Sequence, residues 1–347
     1  TLRTRPAPYP SPARSCLANN EAKLMTQTKS PAPTSAVPGA DGIRGIPHLI
    51  AHVRSMPPIR MAIVHPCDAL SLSGALDARD AGMIIPVLVA PRAKLEAVAA
   101  QAGIDLSGCE IVDVPHSHAA ADEAAGMAAR AEVEALMKGS LHTDELLKAI
   151  VSSRTGLRTE RRITHCFVME TAVYPRPFII TDAAINIAPS LEDKADIVRN
   201  AIDLAHVIGV PEPKVAILAA VETVNPRLQS TLDAAALCKM ADRGQITGGL
   251  LDGPLALDNA VSPDSVRIKG INSAVAGQAD VLVVPDLESG NMLAKQLEYL
   301  GEASSAGIVM GARVPIVLTS RSDSRQARLA SCAIALMLAH RYRSTPP

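Results

Sequence analysis

VLVVPDLESGNMLAKQLEYLGEASSAGIVMGARVPIVLTSRSDSRQAR, residues 281–328, is the stretch whose reading decides the fold. It holds three short apolar runs, Val281–Val284, Gly307–Met310 and Val314–Leu318, each closing on a turn rich in Pro, Gly, Ser, Asp or Asn. After two of them a helix is predicted to begin. The last junction, Thr319–Ser320–Arg321–Ser322–Asp323–Ser324–Arg325, carries the sharpest chemical signal in the chain. An apolar strand stops, hydroxyl residues cap a new helix, and arginines occupy its first turns. Free N–H groups and the positive end of the helix dipole favour an anion at such a place. Guanidinium groups grip phosphate through two parallel hydrogen bonds. The same residues also suit an ordinary helix cap with solvated arginines. Periodicity adds weight to the anion site: Leu329, Cys332, Ala333, Leu336 and Met337 make an apolar stripe, and steps of four back from it reach Arg325 and Arg321. Those two arginines are therefore expected at the mouth end of the buried face.

Outward from this stretch, 347 residues are enough for two domains. Hydrophobic residues make up 48% and charged residues 20%, as in ordinary globular proteins, and the net charge is −1. No global field points to nucleic acid or to an anionic membrane, so any anion site must be local. With no Trp, two Phe and four Tyr, the core must be built of Ala, Val, Ile and Leu, and base-stacking platforms for single-stranded nucleic acid are nearly excluded. No apolar run reaches the roughly 18 residues of a membrane span. The six cysteines, Cys16, Cys67, Cys109, Cys166, Cys238 and Cys332, form no Cys-x-x-Cys pair. That argues against a zinc site or a disulfide framework and fits a reducing compartment, with most thiols buried as small apolar groups.

Residues 1–40 carry seven prolines and little periodic hydrophobicity, and read as a disordered leader. Met25 is a plausible start within it, and its Arg- and Ser-rich, acid-poor composition also fits a transit peptide. From Ile43 strands and helices alternate: a helical segment ending near Met56, a strand at Met61–Val64, a helix to Ala81, a strand at Ile84–Val89, a helix from Pro91 to Ala102, and a strand at Glu110–Val114. A long Ala-rich helix to Met137 follows. Alternation of this kind predicts right-handed crossovers and a mainly parallel sheet covered on both faces. His65 and Cys67 fall at the carboxyl end of a strand, where open α/β sheets place ligands, although a lone His or Cys there is more often structural. Ser140 and Thr143, ahead of the helix Asp144–Val151, make a second anion cradle with Lys148 one turn inside. A basic link (Arg154, Arg158, Arg161, Arg162) marks a domain boundary. Beyond it come strands Ile163–Met169 and Pro177–Thr181, a helix from Leu191 to Ile208, a strand at Val215–Ala219, and a helix started by Asn225–Pro226. There is no Gly-x-Gly-x-x-Gly, Walker loop, His-Glu-x-x-His or Gly-x-Ser-x-Gly.

Five phrases together resemble the phosphate acetyltransferase and phosphate butyryltransferase family: FIITDAAINI (178–187), NPRLQSTLDAAALCKMADRGQITGG (225–249), LDGPLALDNAVS (251–262), VVPDLESGNMLAKQL (283–297) and PIVLTSRSDS (315–324). The resemblance covers about residues 44–340 and leans to the butyryl-type branch and to the acyltransferase half of fusions with an enoyl-CoA hydratase-like domain. It implies a two-domain α/β/α sandwich similar to the isocitrate and isopropylmalate dehydrogenases, with an interdomain cleft. Residues 41–160 and 307–347 would form the first domain and 161–306 the second. It further implies a cytoplasmic homodimer that converts acyl-CoA and phosphate to acyl phosphate and CoA. CoA and acyl-CoA are then substrates, with no permanently bound cofactor, no metal and no covalent acyl-enzyme.

Carried over by position, Ser320 and Arg321 match the family's Ser-Arg pair, with Arg321 on the phosphoryl group and the Ser320 hydroxyl and nearby amides on acyl phosphate or the oxyanion. Lys148 stands where acetyl-type enzymes have arginine. Ser140, Thr143, Asp182, Asn186, Asp286, Gly290 and Asn291 are expected to line the cleft. The acetyl-type enzymes carry an aspartate seven residues after the serine, the presumed base; here that position is Ala327. Asp323 is the nearest substitute, though it equally suits a helix cap. A non-catalytic acyl-CoA-sensing domain of the same fold is the alternative. A metal-dependent decarboxylating dehydrogenase is a third reading, for which the sequence offers no clustered acidic ligands.

Overall fold

The computed structural model describes residues 45–152, 156–320 and 323–347. The expected leader, Arg154 and Arg321 lie outside the described residues. One sheet of eleven strands organises the rest. Its elements are α1 (Ile46–His52), β1 (Ile59–Val64), α2 (Ala69–Asp80), β2 (Ile84–Ala90), α3 (Arg92–Ala102), β3 (Glu110–Asp113), α4 (Ser117–Ala129), β4 (Ala135–Lys138), α5 (Thr143–Val151), β5 (Thr164–Glu170) and β6 (Phe178–Thr181). Then come α6 (Leu191–Val207), β7 (Lys214–Leu218), α7 (Gln229–Asp242), β8 (Leu250–Leu255), α8 (Leu257–Val261), α9 (Pro263–Lys269), β9 (Val281–Val283), α10 (Leu287–Leu300), β10 (Ser304–Met310), β11 (Ile316–Val317) and α11 (Arg325–Ser344). Strand order is β3-β2-β1-β4-β11-β10-β5-β6-β9-β7-β8. β10 runs antiparallel to β5 and β11, and β5 antiparallel to β6; the pairings of β1 with β2 and β4, and of β7 with β8 and β9, are parallel.

The strands are apolar on both faces because both faces are covered. In β1, Met61 and Ile63 join one core while Ala62 and Val64 join another; in β4, Met137 and Leu136 divide in the same way. The first face carries α1, α2, α3, α6, α7 and α11 over a continuous apolar cluster spanning both ends of the sheet. The opposite face is divided. Residues of α4 and α5 cover the β1–β4 end, and residues of α8 and α10 cover the β6–β9 end.

Two elements differ from the sequence reading. The Ala-rich helix stops at Ala129, Ala131 takes a left-handed φ of 57°, and Ala135–Lys138 forms strand β4. AEVEALMK consists largely of good helix formers with no Gly or Pro, so local propensity runs on through it. Pairing with β1 (Ala62↔Leu136) and with β11 (Ile316↔Leu136) overrides that propensity. Asn225–Pro226 likewise precedes its helix: Leu228 N–H donates to Asn225 O at 2.9 Å in a turn, and α7 begins at Gln229.

The C-terminal helix also departs from the predicted stripe. Arg328 and Ala330 through Ala339 are all buried, so α11 is enclosed nearly all round, and Leu329 is only half-buried. Arg325 is exposed and pairs with Asp77 at 2.8 Å. The arginine on the buried face is Arg328, three residues further on, because complete burial hides the phase of the helix from an apolar-stripe argument.

Candidate anion-binding site

Strands β1, β4 and β11 end together, and their carboxyl ends open a small pocket lined by Asp68, Ser71, Lys138, Gly139, Thr319, Ser320 and Arg328. Each wall has a local cause. His65 ends β1 in a left-handed conformation (φ 54°), and its ring Nδ1 lies 2.9 Å from Ser140 O. The amides of Gly139 and Ser140 donate to Val64 O and His65 O. A Cβ on Gly139 would lie 2.5 Å from Val64 O and 2.7 Å from His65 O, so only glycine lets the two strand ends meet. Asp68 caps α2 through Ser71 N at 2.7 Å. Burial pushes its carboxyl up, but hydrogen bonds from Ser71 and the Ser140 side chain outweigh this and hold it below the ordinary carboxylate value. Ser140 thus reaches the pocket through Asp68.

On the other wall, Ser320 N–H donates to the Asp323 carboxylate at 2.7 Å, and Asp323 N–H returns to Ser320 O at 3.2 Å. Ser324 is the helix N-cap, its Oγ accepting from Ala327 N at 3.1 Å. Asp323 therefore clasps the Ser320 turn and leaves the cap to Ser324. It faces a second recess, about 220 Å³, shared with Glu298, Ser305, Ser324 and Ala327. Burial pushes the Asp323 carboxyl above its ordinary value, while the Ser320 amide and Lys295 pull it down.

The remaining predicted residues fall elsewhere. Thr143 opens α5 half-buried, but Lys148 is exposed in the last turn of that helix, away from its amino end. Asp182 is 2% exposed and accepts from Ala184 N, Ile185 N and Asn186 N. Asn186 Nδ2 also donates to it at 2.6 Å and to Ile163 O at 2.9 Å, while Asn186 Oδ1 accepts from Arg162 Nε at 3.0 Å. Asp286 caps α10 through Ser289, and Asn291 Nδ2 donates to Ala183 O at 3.2 Å. Gly290 is pressed against the same loop. These five form one knot between β6 and α10, and their described hydrogen bonds stay within it or tie it to its neighbours. Gly290→Ala would set a methyl 2.7 Å from Val284 Cγ2 and 2.9 Å from Asp182 O. Overpacking against backbone should cost about 1–3 kcal/mol, read as a lowered urea midpoint at unchanged slope.

Sequence reasoning missed Lys138, directly after the segment read as helix to Met137, and Arg328, hidden by the all-round burial of α11. The basic link holds Arg158, Arg161 and Arg162 at a recess with Leu147 and Asn186, where Arg161 pairs with Asp203 and Arg162 with Asp193. Burial pushes the thiols of Cys166, Cys238 and Cys332 up to about 12, so they stay protonated at neutral pH. Among the described residues no three His, Cys, Asp or Glu side chains are grouped to hold a metal ion, and no helix is long and apolar enough to cross a membrane.

The fold is that of solved phosphotransacylases. A branched-chain phosphotransacylase from Enterococcus faecalis V583 superposes with a TM-score of 0.72 at 30% identity, covering 81% of this chain and 99% of its own. A phosphotransacetylase from Streptococcus pyogenes gives 0.73 at 19% identity, over 86% and 99%, a likeness of fold. Residues 117–336 match the family described as phosphate acetyl/butaryl transferase, and the chain belongs to that family of acyltransferases. A phosphate acetyltransferase of Rhizobium meliloti is 60% identical over 85% of this chain and 94% of its own. A phosphate butyryltransferase of Clostridium acetobutylicum is 38% identical over 86% and 99%. Against the lean to the butyryl-type branch, the higher of these two identities goes with the acetyl name.

Proposed function

We propose that the protein transfers a short acyl group, acetyl, propanoyl or butanoyl, between CoA and phosphate by direct thiolate attack in a ternary complex. In the direction of acyl-CoA formation, the CoA thiol gives its proton to a base and its sulfur bonds to the carbonyl carbon of acyl phosphate. The tetrahedral oxyanion then collapses, the carbon–oxygen bond to phosphate breaks, and phosphate leaves. The observation that carries the reading is the meeting of Ser320 with Lys138 and Arg328 at the ends of β4, β11 and α11, a basic, hydroxyl-lined recess suited to a phosphoryl group. The divided core on one face of the sheet supports two domains, 41–160 with 307–347 and 161–306. A cytoplasmic homodimer belongs to the same proposal.

Phosphate- or arsenate-dependent CoA release from two-, three- and four-carbon acyl-CoAs tests this. Wild type should turn over at least one of them without added divalent metal, and Arg321→Ala should lose about a hundredfold or more while staying folded. An inert wild type that still binds acyl-CoA tightly would make the chain a sensor instead.

In this proposal Asp323 is the candidate base, a carboxylate that also holds the Ser320 amide. A carboxyl whose pKa is raised stays protonated to higher pH, so its use as a base is lost earlier on acidification. The acid limb of kcat/KM should therefore rise through a pKa above the ordinary carboxylate value. Asp323→Asn should abolish that limb and slow the reaction about 10²-fold or more. Equal rates at every pH would remove Asp323 from the mechanism.

A further inference from the structure

Arg328 is a guanidinium where the packing should tolerate none without a counter-charge. It is 8% exposed, yet among the described residues it makes no ion pair, and its Nε has no hydrogen-bond partner. Its Nη1 donates to the main-chain oxygen of Asp323 at 2.6 Å, and the carboxylate of the same residue feels the charge without closing an ion pair. A buried guanidinium with no direct ion pair and an unpartnered Nε is costly, and such groups are normally paired with a carboxylate or with a bound anion.

The backbone is shaped to admit this side chain. Gly74, in the second turn of α2, would bring a Cβ within 3.0 Å of both Cδ and Nε of Arg328. With glycine there, the arginine stem crosses the helix and its head lines the pocket already described. Lys138 lines that pocket from the end of β4, with Ser71, Thr319 and Ser320 supplying hydroxyls. The Lys138 ammonium donates to Gly139 O at 3.3 Å. Asp68 is the single carboxylate among the lining residues, and it is engaged by Ser71 and Ser140. Arg328 and Lys138 thus enter the recess from separate elements, beside the engaged carboxylate of Asp68.

The geometry points to Arg328 as a phosphate-binding residue: with Lys138 it forms a cationic grip, beside Ser320, for a phosphate group of the substrates. This deepens the acyltransfer reading and rests on it for the substrate class. The group held is either the phosphate that is transferred or one of the phosphates of CoA; both are tetrahedral oxyanions suited to a forked guanidinium. Through Nη1 the same side chain also ties the bound anion to the Ser320–Asp323 turn.

The test compares wild type, Arg328→Met, Arg328→Lys and Gly74→Ala. Two readouts are used: thermal stabilisation by inorganic phosphate alone, and KM for inorganic phosphate and for acyl donors. Phosphate should raise the melting temperature of wild type, and Arg328→Met should lose most of that rise. If the transferred phosphate is held, KM for inorganic phosphate should climb about tenfold or more in Arg328→Met, with kcat falling less. If a CoA phosphate is held, KM should climb for acyl-CoA but not for an acyl-N-acetylcysteamine thioester, which lacks phosphate. Arg328→Lys should recover part of either effect. Gly74→Ala, which displaces the arginine without removing it, should reproduce part of the KM change and serves if Arg328→Met does not fold.

Unchanged phosphate stabilisation and KM values within about twofold in Arg328→Met would overturn the proposal and leave the arginine a structural tie. The two readings fail separately. A wild type that turns over no acyl-CoA but keeps an Arg328-dependent response to phosphate sinks the acyltransfer and spares the subsite. A fully active enzyme indifferent to Arg328 does the reverse.

Discussion

Lys194→Met should destabilise the protein by about 3–5 kcal/mol, because it strands a buried carboxylate. Lys194 Nζ lies 2.6 Å from Asp233 Oδ2, and each side chain is only 7% exposed. The second carboxylate oxygen accepts from Gln229 Nε2 at 2.8 Å. The pair joins α6 to α7 on the face with the continuous core. Its net contribution is small, since removing two charges from water offsets most of their attraction. Breaking it is another matter. Lys194→Met together with Asp233→Leu should therefore recover most of the stability lost in the single variant, as measured by urea denaturation at constant slope. A single variant within about 1 kcal/mol of wild type would mean that water reaches the pair.

Asp182→Ala should cost a similar amount, about 3–5 kcal/mol, for a different reason. Three backbone amides and the Asn186 side-chain amide converge on this carboxylate. Alanine would leave the three backbone amides unpaired, and Asn186 Nδ2 with Ile163 O alone, in a region where Asp182 itself is 2% exposed. The loop also positions Asn186 against Arg162 and abuts Gly290 of α10, so activity should fall with stability. Asp182→Asn keeps one acceptor oxygen but turns an amine toward donors, and its loss should be smaller yet clear. Full hydrogen-exchange protection of the 183–186 amides in Asp182→Ala would contradict this account.

Much of this was legible in the sequence. Runs such as Ile84–Ala90 and Val281–Val283 are apolar without alternation, and only a strand covered on both faces uses such a run. Ser324, Asp286 and Ser190 stand before helices they do cap. Five family phrases spread over the chain led to the correct family. Where sequence reasoning missed, it missed for want of neighbours. Ala135–Lys138 is a strand only because β1 and β11 flank it, and Lys138 reaches the recess only as the end of that strand. Gly74 looks like a weak point in a helix until the arginine crossing it is seen.

The sequence by itself determined the alternation of elements, the apolar core of small aliphatic residues and the family, and it singled out the junction proposed to bind an anion. Those depend on periodicity, capping and residue chemistry, which act within a few residues along the chain. Tertiary structure decided which cations face that junction: it turned Arg325 outward to Asp77, buried Arg328, and brought Lys138 across from another strand. It also made Asp323 a clasp on the Ser320 amide while a different residue capped the helix. The physical reason is range. Hydrogen bonding and propensity are local, whereas burial of charge depends on everything packed around it.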